Sequence, residues 1–290
     1  MEEATLLMEE RLATTTAQSN VKTILFHVHE DKGSDDRLEA ALALARSVSA
    51  HVECLHVTPI QAYTAPDVFG GVFANRGIVE ALEEEAAKLR SRIERKLAAE
   101  DVSWDYCEIT GEPLSQLVSH AALADLVVTG RVEHDFEYSS SVGFLGNLLY
   151  DSRTPLLILS ESKKPFNPEG PAVIAWNGSY EAANALRGSV GLLKLSANVE
   201  VLSFEEDKPG YFPTTRPLEY LSRHGIHAEL RAQPRGSGNI AAKIATYAVE
   251  NGASYIVMGG YSHSRAGQFI FGGVTRDLLK SSPVPLVIAR

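Results

Sequence analysis

Cysteine is scarce in this chain of 290 residues: only Cys54 and Cys107 occur, each inside a strand-like apolar run. Two isolated thiols cannot build a disulfide framework, so both are read as reduced, buried groups. Basic runs are equally scarce. None is longer than two residues, as at Lys163-Lys164, and 27 Lys and Arg against 37 Asp and Glu leave a formal net charge of -10. Non-specific nucleic-acid binding needs clustered cations, so nucleic acid is excluded as a partner. No apolar stretch approaches the roughly 18 residues that would cross a bilayer. The start, Met1-Glu2-Glu3-Ala4-Thr5, lacks the basic region and long apolar core of a signal peptide. A cytoplasmic chain with no membrane segment is the expectation.

Several chemical motifs are missing as well. There is no Gly-x4-Gly-Lys-Ser/Thr, and Gly236-Ser237-Gly238 precedes a helix without the rest of a dinucleotide fingerprint. No Gly-x-Ser-x-Gly elbow occurs; Gly188-Ser189-Val190-Gly191 has the wrong spacing and falls within a helical pattern. No set of acid, base and nucleophile converges, so no catalytic residue is assigned and an enzyme is not expected.

What remains is an ordinary globular composition, 44% hydrophobic and 22% charged, with length for one to two domains. Residues 1–20 are acidic and then Thr- and Ser-rich and read as a mobile arm, with at most a short helix at Leu6–Leu12. From Lys22 onward, apolar runs of strand length alternate with helix-period segments. Strands fall at Lys22–His29, Val52–Val57, Trp104–Ile109, Leu126–Thr129 and Pro155–Leu159, with helices at Leu38–Val48, Ile78–Glu100, Pro113–Ala122 and Leu145–Tyr150. The Glu- and Arg-rich helix Ile78–Glu100, which contains Glu83-Glu84-Glu85, reads as a solvated surface.

Residues 161–170, Glu-Ser-Lys-Lys-Pro-Phe-Asn-Pro-Glu-Gly, form a linker, and the pattern then restarts. Ala124-Asp125-Leu126-Val127-Val128-Thr129-Gly130 matches Ala253-Ser254-Tyr255-Ile256-Val257-Met258-Gly259, and Thr154-Pro155-Leu156-Leu157-Ile158 matches Val284-Pro285-Leu286-Val287-Ile288. The chain is therefore read as α/β, with two tandem open parallel-sheet domains at residues 21–160 and 171–290, helices on both faces and right-handed crossovers. Ligands then belong at the carboxyl ends of the strands.

One such end carries the chemistry. An apolar strand runs into Val257-Met258-Gly259-Gly260-Tyr261-Ser262-His263-Ser264-Arg265, and Gly272-Gly273-Val274-Thr275-Arg276 then opens a helix. Glycines let backbone N–H groups approach an oxyanion, and a helix start adds unpaired donors and positive dipole. Phosphate is the natural guest. Arg265 could fork onto it, or the loop could close on the linker or a partner domain.

With these residues the chain resembles a tandem universal stress protein of the UspA type. The family signature is Gly, two residues, Gly, nine residues, then Gly-Ser or Gly-Thr, with Asp-Gly-Ser after the first strand. The second half offers Gly259-Gly260-Tyr261-Ser262, nine residues and Gly272-Gly273, and Trp176-Asn177-Gly178-Ser179 after its first strand. Ser262, Gly273 and Asn177 depart from the pattern. The resemblance implies a Rossmann-like, adenine nucleotide alpha hydrolase-like fold, with domains paired through their last strands. It also implies a stress-response module that binds an adenine nucleotide such as ATP, with no metal beyond a nucleotide-bound Mg. Carried over, Ala175 and Asn177 would face the adenine or ribose. Gly259, Ser262, Arg265, Gly272 and Gly273 would line the phosphates, with Val274 and Thr275 opening the helix. Ser262 keeps a donor but not glycine's freedom, and Thr275 offers a hydroxyl that Gly273 lacks.

In the first half the corresponding loop is Gly130-Arg131-Val132-Glu133, nine residues, then Gly143-Phe144. Glu133 would repel phosphate and Phe144 replaces a hydroxyl, so this copy reads as degenerate. His27 and His29 alternate on a strand near Asp31, a spacing a metal could use, but no Cys or further His lies nearby and no metal site is assigned. Trp176 could stack on a base or cap the core. The alternatives to nucleotide binding are an interaction scaffold for a protein partner, with both sites degenerate, and a slow ATPase. Pairing of domains within one chain would leave a monomer or a homodimer.

Overall fold

A computed structural model describes residues 20–59, 65–66, 72–73, 76–131, 141–159, 165–205, 212–260 and 272–290. The short helix expected at 6–12 lies outside them. In the first half come β1 (Thr23–Val28), α1 (Ser34–Val48), β2 (His51–Pro59), α2 (Arg76–Leu97), β3 (Trp104–Gly111), α3 (Pro113–Ala121), β4 (Leu126–Gly130), α4 (Ser141–Ser152) and β5 (Leu156–Leu159). In the second come β6 (Ala172–Trp176), α5 (Tyr180–Gly188), α6 (Val190–Leu193), β7 (Val199–Phe204), α7 (Arg216–Arg223), β8 (Ala228–Gln233), α8 (Ile240–Glu250), β9 (Tyr255–Gly259), α9 (Gly273–Ser281) and β10 (Leu286–Ala289). A two-residue ribbon pairs Ala65–Pro66 with Val72–Phe73 between β2 and α2.

The ten strands form one sheet in the order β8-β7-β6-β9-β10-β5-β4-β1-β2-β3. Within each half every neighbour is parallel, and each half repeats the same order outward from its last strand. The exception joins the halves: β10 and β5 run antiparallel, with Leu286 opposite Ile158, Val287 opposite Leu157 and Ile288 opposite Leu156. The carboxyl ends of β1–β5 therefore point to one edge of the sheet, and those of β6–β10 to the other.

Strands this apolar are explained by burial on both sides. Ile24, Phe26 and Val28 belong to the core beneath α1, α2, α5 and α7 on one face, and Leu25 to the core beneath α3, α4, α8 and α9 on the other. In β6 the same alternation sends Ala172, Ile174 and Trp176 to the first face and Val173 and Ala175 to the second. Trp176 is buried in the first core and also borders the cavity at the strand ends, so its position is compatible with both roles open to it in sequence.

Three local details differ from the sequence pattern. Helix α1 begins four residues earlier than the apolar period, at Ser34, because Asp35 and Asp36 suit its positive first turn. The single helix expected over 180–193 breaks at Ser189, whose backbone leaves the helical region. Within the expected linker, Phe166 is buried against Tyr255, and Ser254 Oγ bonds the Asn167 N–H and carbonyl at 3.1 and 2.6 Å. That end of the segment is packed onto the second half and is no free tether.

Leu157 is fully buried at the middle of the antiparallel pair. Leu157→Ala should lower unfolding free energy by about 3 kcal/mol, the usual cost of an unfilled core cavity, measured by urea denaturation. A loss below about 1 kcal/mol would mean that the junction between the halves is not a close-packed core.

Candidate functional site

The second-half site begins with a turn. Asn177 Oδ1 accepts from the Ser179 N–H at 3.2 Å, Gly178 takes φ 70, and Ser179 Oγ accepts from the Ala182 N–H at 3.1 Å to start α5. A left-handed residue here is why glycine follows Asn177. The turn brings the first backbone of α5 onto Gly259: a Cβ there would lie 2.5 Å from Ala182 N and 2.6 Å from Glu181 C. Gly260 is equally enclosed, since its Cβ would lie 2.4 Å from Leu149 Cδ2 of α4 and 2.8 Å from Ile288 Cγ2. The Gly259-Gly260 pair thus has a packing cause in the protein itself.

Gly272 and Gly273 are different. Among the described residues a Cβ at either position would meet nothing within 4 Å, and Gly272, the N-cap of α9, sits at φ -54, a backbone conformation open to any residue. No side chain of the described residues caps this helix start. Thr275, one turn in, is buried and its Oγ1 donates to the Gly259 carbonyl at 3.4 Å.

Between these features lies a cavity of about 140 Å³ at the carboxyl ends of β6, β7 and β9. It is lined by Ala175, Asn177, Gly259, Val274 and Thr275 of the sequence-derived set. Gly272 and Gly273 stand beside it at the start of α9, while Ser262 and Arg265 lie outside the described residues. Its apolar wall was not foreseen: Leu202 and Phe204 of β7, Ile240 and Ile244 of α8, and Met258. In sequence these residues are indistinguishable from core, because strand alternation and helix period place them correctly for either role. Exposed Arg235 brings a cation to the rim. At roughly half or less of the ~300–1,000 Å³ of a drug-sized pocket, the cavity suits one flat ring system and not a whole nucleotide.

The first half fills the same place. Its strand register sets His27 where Ala175 stands in the second half. Buried His27 bonds Thr129 Oγ1 through Nδ1 at 3.0 Å and stacks on the buried Phe144 ring, centroids 5.9 Å apart. Phe144 in turn occupies the sequence position of Gly273. On the other face Arg37, 4% exposed, lies over Gly130, where a Cβ would be 2.8 Å from its Cδ. Its Nη1 bonds Asp31 at 2.8 Å and its Nη2 the His29 carbonyl at 2.9 Å. Burial pushes the Asp31 carboxyl up, but the Arg37 hydrogen bond and charge, with the Gly33 N–H, outweigh it and hold the group below the usual carboxylate range.

Among the described residues no group of His, Cys, Asp and Glu is arranged for a metal ion. The thiols are poor nucleophiles: burial, then Asp105 and Glu53, push buried Cys54 up to about 12, and burial with the same carboxylates raises half-buried Cys107. No helix of the described residues is long and apolar enough to cross a membrane.

An open, mainly parallel α/β sheet with a cleft at its carboxyl ends defines the Rossmann-like class. Residues 231–290, which hold α8, β9, α9 and β10, match the family model described as the universal stress protein family. The crystal structure of a universal stress protein from Archaeoglobus fulgidus DSM 4304 superposes with a TM-score of 0.72 at 17% identity, covering 93% of this chain and 99% of that one. A functionally unknown protein from Pseudomonas aeruginosa PAO1 superposes at 0.56 and 14% identity, covering 94% of both chains. No curated protein sequence matches. The chain has the fold of a universal stress protein, and its C-terminal sixty residues, 231–290, carry that family's sequence pattern.

Two outcomes follow for stability. Gly259→Ala and Gly260→Ala should each cost about 1–3 kcal/mol by overpacking, while Gly273→Ala should stay within about 0.5 kcal/mol; thermal denaturation of the three variants distinguishes enclosed glycines from open ones. Because Asp31 titrates lower folded than unfolded, it stabilises the protein above the unfolded carboxylate value of about 3.9 and loses that contribution as pH falls through its folded value. Asp31→Asn should cost about 1 kcal/mol at neutral pH, a gap that closes in denaturation series taken below about pH 4.

Proposed function

We propose that the chain is a cytoplasmic stress-response regulatory module of two tandem domains, residues 21–160 and 171–290, that binds an adenine nucleotide in the second. The observation that carries this reading is the pairing of an apolar slot, walled by Leu202, Phe204, Ile244 and Met258, with the start of α9 beside it, which no side chain of the described residues caps. A purine ring buries well in the slot, and phosphates then fall toward the Gly272 and Gly273 amides and the Arg235 rim. Asn177 keeps its amide donors for the base or ribose, since its oxygen is used in the turn. Among the described residues no atom lies within 4 Å of a Cβ placed at Gly272. The closed first half gives the opposite reading one specific support: a scaffold that binds protein partners and has lost both sites. No nucleophile or general base among the described residues faces the cavity, so hydrolysis is the least supported reading.

Gly272→Val provides the test because its side chain meets none of the described residues and should leave folding intact, which a thermal denaturation of the variant checks. Calorimetric titration with ATP, ADP and AMP should show binding to the parent chain, weakened at least about tenfold, or about 1.4 kcal/mol, by Gly272→Val. If the parent gives no heat at millimolar ATP and purified protein carries no nucleotide by mass spectrometry, the scaffold stands instead.

A further inference from the structure

Two arginines cross between the halves, and each ends a helix whose start faces the other edge of the sheet. Arg131, which follows β4 in the first half, donates Nε to the Leu279 carbonyl at 2.7 Å and Nη2 to the Ser282 carbonyl at 2.8 Å. The first is a last-turn carbonyl of α9 and the second that of its C-cap residue, and the first turn of the same helix supplies Val274 and Thr275 to the second-half cavity. Arg290, which follows β10, donates Nη1 to the Tyr150 carbonyl at 3.2 Å and lies 3.7 Å over the Tyr150 ring, at the end of α4. Helices α4 and α9 touch on the same face of the sheet.

The antiparallel junction makes this geometry. Helix α9 starts at the carboxyl edge of the second half and ends at the carboxyl edge of the first, where Arg131 stands. Nine residues make a rod about 13 Å long at ~1.5 Å per residue. An arginine there satisfies carbonyls that have no partner inside the helix and places positive charge at the negative end of its dipole. Fixing the last turn also fixes where the first-turn amides and Thr275 stand against the cavity.

Resting on the nucleotide reading above, we propose that Arg131 of the first half is a positioning residue for the second-half site, so that the half with the closed pocket sets the affinity of the open one through α9. The control is built in: Arg290 makes the mirror contact on α4, whose start is occupied by Phe144, and should not affect nucleotide. Calorimetric titration of ATP into the intact chain and its variants should show Arg131→Ala weakening binding about fivefold, the low end of measured couplings between sites. Arg131→Lys should restore part of the loss, and Arg290→Ala should stay within about twofold of the parent. Amide hydrogen exchange in Arg131→Ala should quicken at both ends of α9, the start included. ATP binding by Arg131→Ala equal to the parent overturns the proposal and leaves the nucleotide reading intact, as does equal weakening by Arg131→Ala and Arg290→Ala, which marks general softening. A parent chain that binds no ATP removes the nucleotide reading and this proposal with it.

Discussion

The antiparallel pairing of β5 with β10 is the constraint on which the rest of the molecule depends. Both strands are short, apolar and buried throughout, Leu-Leu-Ile-Leu against Leu-Val-Ile-Ala. Alone, either would present a flat apolar edge, the feature most prone to uncontrolled association. Paired, they close each half's edge with the other's and join two five-stranded sheets into one. The direction of that pairing decides everything downstream. It sends the two sets of strand ends to opposite edges, turns α4 and α9 alongside each other, and carries Arg131 and Arg290 to helix ends in the other half.

The fold was legible because its signals are periodic and repeated. Apolar strand runs, helix-period segments and the match of Ala124–Gly130 with Ala253–Gly259 suffice for two α/β units, and burial on both sheet faces explains why the strands read as continuous apolar runs. Helix ends were less legible. The break at Ser189 and the early start of α4 at Ser141 depend on backbone geometry and tertiary packing that a residue pattern does not encode.

The site divides along the same line. Glycines, Asn177 and the start of α9 stand out in sequence because each breaks a pattern. Phe204, Ile244 and Met258 do not, because a ligand slot and a core demand the same residues at the same spacing. Gly259 and Gly272 look alike in sequence yet have opposite surroundings, one pressed against α5 and the other touched by none of the described residues. Contacts separated by more than a hundred residues, such as Arg131 with Leu279, leave no local trace at all.

The stack of His27 on Phe144 has a further consequence. Two identical subunits related by symmetry must share every side chain, so a residue that blocks one pocket blocks its twin and a residue that keeps one open keeps both. Covalent joining removes that obligation. One half can trade its cleft for an aromatic filling that steadies the shared sheet, while the other keeps a cavity between Ala175 and Thr275. The molecule thereby has a distinguishable left and right, and a partner that reads only one side always meets the same one.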